Sequence, residues 1–211
     1  MVLNIYREKI DSFLNPMAKG FSKISPNTLS AISLICAIAT LLIFLLIQDP
    51  IALLIALILV ILNGFFDAID GKVAKMTGKA SPKGDLVDHV IDRYADFFII
   101  AGIALSAFAD VRIGLLALGS VMIASYMGTQ SQALGLQRDY GGMLGRAERI
   151  VLIMIFIVLQ YLMEIFNIGN VQIVSGLNIG LLDVMLIIFI IAANITSIQR
   201  FIRIWRGLGS G

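Results

Sequence analysis

Four aspartates around a short loop are the residues of this sequence best suited by type and spacing to do chemistry. Asp67 and Asp70 lie three residues apart, so they share one face if their segment is helical. Asp88 and Asp92 lie four residues apart and share a face on the same condition. The intervening TGKASPKG, residues 77–84, carries two glycines and a proline that interrupt a helix. The chain is therefore expected to turn back and bring both pairs to the same depth.

Carboxylates gathered in this way are typical of a site for divalent cations. Four like charges at close range repel one another unless positive charge lies among them. Hard cations such as Mg²⁺ or Mn²⁺ are bound by carboxylate oxygens. Four acids suggest two ions, which together can clamp a diphosphate and stabilise an in-line displacement. The alternative from spacing alone is a solvated loop, in which the acids pair with nearby lysines: Lys72, Lys75, Lys79 and Lys83.

The segments that position these acids are strongly apolar. Of the 211 residues, 59% are hydrophobic and only 14% are charged, against about 25% in a soluble domain, and the mean hydropathy is +0.95. The first aspartate pair directly follows an uncharged run, PIALLIALILVILNGFF. A single cysteine, Cys36, excludes an intrachain disulfide. These features predict an integral membrane protein, and with a net charge of +2 we predict no nucleic-acid partner.

The apolar pattern predicts an all-α fold with six transmembrane helices in one domain over residues 1–211. About 20 apolar residues cross a bilayer core, and six segments fit: 28–47, 50–66, 95–109, 111–130, 149–166 and 178–199. The third segment is expected to begin earlier, as a continuation of the helix with Asp88 and Asp92. Residues 1–24 are predicted to form an interfacial segment with an amphipathic helix that ends at about Leu14, before Pro16. Residues 25–206 are predicted to form the six-helix bundle.

The basic residues predict the orientation of these spans. With both termini in the cytoplasm, 15 of the 16 lysines and arginines lie on the cytoplasmic side, and only Arg112 lies outside. This arrangement satisfies the positive-inside rule. It predicts a multi-pass protein of the plasma membrane whose aspartates face the cytoplasm.

The aspartates belong to a longer pattern with a wide gap. It runs D-x-x-D-G-x-x-A-K, then eight residues, then G-x-x-x-D-x-x-x-D. The residues are Asp67, Asp70, Gly71, Ala74, Lys75, Gly84, Asp88 and Asp92. This pattern resembles that of the CDP-alcohol phosphotransferases, also called CDP-alcohol phosphatidyltransferases, at seven of its eight positions. Lys75 replaces the arginine of that family, which keeps the charge and loses the bidentate fork.

The resemblance implies a reaction and a role for each residue. Members of the family transfer a phosphatidyl-type group from a CDP-linked lipid to an alcohol and release CMP. Asp67, Asp70, Asp88 and Asp92 are then expected to hold two divalent ions, with Asp92 also acting as the general base. The residues expected to bind the nucleotide are Gly71, Ala74, Lys75, Gly84 and Asn27, the last with a simple helix start as its alternative. For His89 we favour a packing or surface role.

The second cytoplasmic loop, SQALGLQRDYGGMLGRAERIVL, suggests a phosphorylated acceptor because arginine forks suit phosphate. It is similar to the inositol-phosphate branch of the family, in which phosphate-binding arginine follows a tyrosine-containing span end. That branch has a lysine shortly after the tyrosine, and this chain does not. The residues expected to bind the acceptor phosphate are Arg138, Arg146, Arg149, Ser125 and Arg200. Positive charge beside a span is the alternative explanation for one or two of the arginines.

The predicted reaction is transfer from a CDP-lipid, either CDP-diacylglycerol or CDP-archaeol, to inositol phosphate. Glycerol 3-phosphate and then serine are the alternative acceptors. A cation transporter is the alternative of another class, but its acids would line a path near the midplane. Apart from the second and third predicted spans, which carry the aspartates, only Glu164 and Asp183 are acids within a span. The resemblance also implies a homodimer.

Overall fold

The computed structural model describes residues 7–139, 141–168, 171–174 and 177–209. Its elements are α1 (Arg7–Gly20), α2 (Pro26–Leu46), α3 (Ile51–Met76), α4 (Pro82–Ala104), α5 (Val111–Ala133), α6 (Arg146–Ile165), β1 (Val171–Val174), β2 (Leu177–Ile179) and α7 (Leu181–Leu208). The contacts divide the chain between Gly102 and Ile103 into an N-terminal and a C-terminal unit. The prediction of a helical protein is confirmed.

Two helices of the N-terminal unit are longer than their predicted spans, and the extra turns carry the aspartates. α3 continues past Phe66 to Met76, so Asp67 and Asp70 are helical. α4 begins at Pro82 and is continuous through Asp88 and Asp92, which confirms that the third segment begins early. Residues 77–81 form the turn between these helices.

The amphipathic helix α1 does not end before Pro16 as predicted. It runs through this proline to Gly20, so the predicted end at Leu14 is wrong. Leu14 and Ala18, on either side of Pro16, are both buried in one apolar cluster. Burial of both positions offsets the backbone hydrogen bond that proline removes from a helix. The other buried members of the cluster are Leu29, Ile69 and Val73, from α2 and α3.

A buried polar contact joins α2 to α3 halfway along their length. The Asn63 side-chain amide donates to the Ser33 backbone oxygen at 2.9 Å and to the Ser33 hydroxyl at 2.8 Å. The Ser33 hydroxyl donates in turn to the Asn63 backbone oxygen at 3.2 Å. Both residues are fully buried, so a shift of one helix along the other would leave these groups without partners.

Among the described residues, four helices are long and apolar enough to cross a membrane. They are α2, α3, α5 and α7. Each matches one of the six predicted spans. The remaining two predicted spans correspond to α4 and α6, which are long helices with charged residues in their sequences.

The C-terminal unit contains a short antiparallel hairpin that the sequence analysis did not predict. β1 pairs with β2 in a register that aligns Val171 with Ile179 and Gln172 with Asn178. The hairpin lies between α6 and α7, where VQIV and LNI are rich in β-branched residues. β1 falls in the loop before the sixth predicted span, and β2 overlaps the first two residues of that span, so α7 begins later than predicted.

Asp183 fixes the start of α7 in the C-terminal unit. Its side chain is only 1% exposed. One carboxylate oxygen accepts the backbone N–H of Asp110 at 2.7 Å, and the other accepts the N–H of Gly180 at 3.0 Å. The Gln160 side-chain oxygen accepts the N–H of Leu181 at 3.1 Å. The starts of α5 and α7 are thus held together by one buried carboxylate. This contact accounts for the presence of Asp183 within a predicted span, and no ion-transport path is needed to explain it.

We expect Asp183→Ala to lower the thermal unfolding temperature of the detergent-solubilised protein clearly. The change removes the acceptors of the buried Gly180 N–H and of the partly buried Asp110 N–H. A buried polar group left without a partner costs about 1–3 kcal/mol. Asp183→Asn keeps one oxygen acceptor, so its unfolding temperature should lie between those of the alanine variant and the parent protein. An alanine variant that melts with the parent protein would contradict the role given to Asp183.

Candidate functional site

The N-terminal unit contains a cavity of about 260 Å³ between the ends of three helices. α2 contributes its first turns, α3 its last turns and α4 its first turns. The lining residues are Pro26, Asn27, Ser30, Asp70, Gly71, Ala74, Lys75, Lys79, Ala80, Ser81, Gly84, Asp85 and Asp88. The wall therefore combines carboxylates, lysines, hydroxyls and small residues.

Asp70 is the most buried of the four aspartates and lies at the wall of this cavity. Its side chain is 4% exposed and accepts a hydrogen bond from the Ser30 hydroxyl. The carboxylates of Asp67 and Asp88 lie close enough for their charges to act on Asp70. The hairpin of α3 and α4 thus brings acids from both helices together, as expected from the spacing.

Asp92 lies with Asp88 on α4, and His89 lies with both. One ligating atom from each of these three residues lies within 4.8 Å of the other two, in partly buried positions. The His89 ring also lies beside Asp85, with Nε2 at 3.4 Å from Asp85 Oδ1. Asp92 Oδ2 lies 3.5 Å from the Arg93 guanidinium.

The donor set of this region fits divalent cations. It supplies carboxylate oxygens from two helices at close range, which is the ligand type that Mg²⁺ and Mn²⁺ prefer. Four negative charges so near each other need a counter-charge.

All five residues predicted to bind a nucleotide line the cavity. They are Asn27, Gly71, Ala74, Lys75 and Gly84. A Cβ built on Gly71 meets no atom within 4 Å, so a side chain there would project into open space.

Sequence reasoning missed Ser30, Lys79 and Ser81 as members of the cavity wall. Ser30 had a usable signal. It follows Asn27 by three residues in SPNTLS, so the two share one face of α2. Asn27 was selected on its motif, but only the fold shows that Ser30 meets Asp70.

In the C-terminal unit, the segment 134–145 between α5 and α6 is held by one face of α7. Thr196, Arg200 and Arg203 lie at helical spacing along that face. The Thr196 hydroxyl accepts the N–H of Met143 at 3.1 Å. Arg200 donates to the backbone oxygen of Gly141 at 2.9 Å and to that of Ala124. Arg203 donates to the Asp139 carboxylate at 2.6 Å.

The residues predicted to bind an acceptor phosphate are distributed over this unit. Arg138 lines a second cavity, of about 320 Å³, together with Asp139 and Arg203. Arg200 joins the 134–145 segment to α5, as described. Arg146 is the first residue of α6, and the buried Arg149 donates to the backbone oxygen of Leu144 at 3.4 Å.

The fifth of these residues, Ser125, lies on α5 next to Ala124, whose carbonyl meets Arg200. Its buried hydroxyl has no hydrogen-bond partner among the described residues.

We expect Asp139→Asn to destabilise the protein at neutral pH and to have little effect in acid. Burial raises the pKa of Asp139, but hydrogen bonds from Arg203 and from the Gly141 N–H outweigh burial and hold the pKa below its usual range. A lowered folded-state pKa stabilises the fold above the unfolded pKa of about 3.9, and this stability is lost as pH falls through the folded value. The difference in melting temperature between variant and parent should shrink between about pH 5 and pH 3. A difference that stays constant with pH would contradict this account.

Comparisons with known proteins agree on one family. Residues 23–205 match the CDP-alcohol phosphatidyltransferase family. The chain is 31% identical to an archaetidylinositol phosphate synthase of Methanothermobacter thermautotrophicus over 146 residues, which cover 69% of this chain and 67% of that protein. It is 32% identical to an archaetidylinositol phosphate synthase of Pyrococcus horikoshii over 156 residues, which cover 73% and 81%.

Solved structures show the same fold. The crystal structure of Mycobacterium tuberculosis phosphatidylinositol phosphate synthase with CDP-DAG bound superposes with a TM-score of 0.69 at 22% identity, covering 91% of this chain and 93% of that one. The same enzyme in complex with manganese and citrate also gives a TM-score of 0.69 at 22% identity, with 91% and 88% covered.

Proposed function

Because this chain belongs to the CDP-alcohol phosphatidyltransferase family and is thus a transferase, we propose that it transfers a lipid phosphate group from a CDP-lipid to inositol phosphate and releases CMP. One observation carries the proposal. Six of the eight residues of the family's pattern, from α3 and α4, line a single cavity. The other two lie beside its acids, Asp67 near Asp70 and Asp92 near Asp88. The named activities of the archaeal relatives support inositol phosphate as the acceptor.

The acids are proposed to bind two divalent ions, Mg²⁺ or Mn²⁺, through Asp67, Asp70, Asp88 and Asp92. When bound, such ions neutralise the diphosphate and make CMP a better leaving group. Ser30 holds the Asp70 carboxylate in one orientation through its hydroxyl. Asp92 takes the proton of the attacking acceptor hydroxyl as general base. The manganese-bound neighbour supports a divalent ion of this kind.

The cavity is proposed to hold the CDP part of the donor. Gly71 and Ala74 leave room for the nucleotide, whereas a larger side chain at Gly71 would project into the space. Lys75 and Lys79 place positive charge at the wall, where it can meet the diphosphate. Asn27 and Gly84 complete the predicted nucleotide contacts. The neighbour with CDP-DAG bound supports a CDP-lipid as donor, and the relatives' names support archaeol as its lipid.

The arginines of the C-terminal unit are proposed to bind the phosphate of the acceptor. The set consists of Arg138, Arg146, Arg149 and Arg200, with the Ser125 hydroxyl. A guanidinium carries five donors in a rigid fork that suits the oxygens of a phosphate group. Arg146 also lies at the N-terminus of α6, where the helix dipole favours an anion.

All six long helices α2 to α7 are proposed to cross the membrane, with α1 at its surface. Each of these helices overlaps one of the six predicted spans, and the positive-inside rule favours an orientation with both termini and the aspartates on the cytoplasmic side of the plasma membrane. A homodimer within the bilayer remains part of the proposal.

The test is CMP release by the purified protein in detergent with Mg²⁺ or Mn²⁺. CDP-diacylglycerol and CDP-archaeol serve as donors, and inositol 1-phosphate, glycerol 3-phosphate, serine and free inositol serve as acceptors. We expect release with inositol 1-phosphate. Release with glycerol 3-phosphate or serine alone would keep the reaction and overturn the acceptor. Absence of release from folded protein with every acceptor would overturn the proposed function and return attention to a transporter.

A further inference from the structure

The aspartate cluster on α4 includes one residue of a different chemical kind. His89 is the single histidine of the chain. A ligating atom of its ring lies within 4.8 Å of ligating oxygens of both Asp88 and Asp92. Donors bound at about 2.1 Å to one metal ion lie at most about 4.2 Å apart, so a small adjustment of rotamers would bring these three atoms to one ion. An imidazole nitrogen therefore lies beside the carboxylate oxygens of Asp88 and Asp92, which are proposed to bind a hard cation.

A carboxylate behind the imidazole supports this arrangement. Asp85 lies one turn before His89, and its Oδ1 is 3.4 Å from the ring Nε2. A histidine that binds a metal through one nitrogen commonly donates its other N–H to a carboxylate, which fixes the ring and raises its basicity. The Asp85 side chain is 67% exposed and that of His89 is 25% exposed. Asp85 therefore lies on the solvent side of His89, and His89 lies closer to the partly buried cluster.

We propose that His89 is a nitrogen ligand of the metal ion held by Asp88 and Asp92, with Asp85 as its positioning partner. The inference rests on the proposed function, because it adds a residue to the metal site of that reaction. Carboxylate oxygens alone suit Mg²⁺ and Mn²⁺, whereas imidazole suits later first-row ions such as Zn²⁺. The nitrogen ligand therefore shifts the preference of the site from Mg²⁺ towards Zn²⁺. This inference replaces the packing role that the sequence suggested for His89.

The experiment uses Mn²⁺ alone as the probe. The full chain is purified without a histidine tag, given Mn²⁺ below one equivalent, and measured by pulsed EPR for coupling to a nitrogen nucleus. Because the chain has one histidine, any imidazole coupling comes from His89. Growth with ¹⁵N-histidine should then convert the ¹⁴N pattern into a ¹⁵N pattern. His89→Gln should abolish the coupling.

Two affinity measurements accompany the spectrum. Asp85→Asn is expected to raise the Mn²⁺ dissociation constant by about tenfold, as is typical when a partner behind a metal-binding histidine is removed. Competition by Zn²⁺ and by Mg²⁺ against bound Mn²⁺ measures the selectivity of the site. His89→Gln should lower the ratio of Zn²⁺ affinity to Mg²⁺ affinity by at least about tenfold.

The outcomes separate this inference from the proposed function. Imidazole coupling that follows the ¹⁵N label supports the inference. Mn²⁺ bound without that coupling, or no Mn²⁺ binding at all, overturns it. CMP release is measured on the same preparations, so transfer with Mg²⁺ in a protein that lacks the coupling would keep the reaction and remove only the nitrogen ligand.

Discussion

Replacing Asp92 by asparagine is expected to lower kcat for CMP release by about 10²- to 10⁴-fold, the usual contribution of a general base. Asparagine has nearly the same shape and retains one oxygen near Arg93, but it cannot accept the acceptor's proton. Because Asp92 is partly buried beside Asp88, bulk water has little access to accept the proton in its place. Initial rates with saturating donor and inositol 1-phosphate would measure the effect.

Asp49→Asn provides the matched control. Asp49 precedes α3 at the end of the helix remote in sequence from Asp67 and Asp70, and its exposed Oδ1 accepts the N–H of Ile51 at 2.9 Å. Asparagine can make the same contact, so kcat should not change. Mn²⁺ affinity of Asp92→Asn is measured in parallel. Because Asp92 is also a proposed metal ligand, the rates are compared at saturating Mn²⁺. A loss of rate that persists there assigns Asp92 to proton transfer, and an unchanged rate would exclude it as the base.

Replacing Gly71 by leucine is expected to lower kcat/KM for the CDP-lipid by at least about 100-fold. The new side chain meets no atom of the protein within 4 Å at its Cβ, so the fold tolerates it. It projects instead into the space where the nucleotide is proposed to bind, and displacement of reacting groups by about 1 Å can cost 10²-fold in rate. Steady-state kinetics with varied CDP-lipid would show the loss.

Gly119→Leu separates lost binding space from a general effect on helices. Gly119 is also an exposed helical glycine with no atom within 4 Å of a built Cβ, and it lies on α5 outside the cavity. Both variants should melt close to the parent protein. Equal losses of kcat/KM in the two would contradict a nucleotide cavity at Gly71.

Much of the site was predictable because its pattern is local. Asp67 and Asp70 share one helix and Asp88 and Asp92 share the next, so helical periodicity and one turn are enough to bring the pairs together. Apolar run length likewise predicts each long helix, and the ends of α2, α5 and α6 lie within about three residues of their predicted spans. The predicted spans stop too early where α3 continues into a charged sequence, because hydropathy reports the lipid-facing part of a helix and not its whole length.

The features that sequence reasoning missed depend on contacts between distant segments. Ser30 is an ordinary helical serine until α2 packs against α3 and its hydroxyl reaches Asp70, forty residues later. Pro16 ends a helix by local rules, but buried Leu14 and Ala18 carry α1 past it. Tertiary contacts override local preference in both cases.

The face of α7 that holds the segment 134–145 has a consequence for biosynthesis. Thr196, Arg200 and Arg203 follow their partners in this segment by 53 to 64 residues. The ribosome therefore delivers this segment well before the helix that orders it, whereas every residue lining the aspartate cavity has been translated by Asp88. A nascent chain can complete the aspartate cavity early, whereas the segment of the proposed acceptor site is ordered only after the last helix has been made.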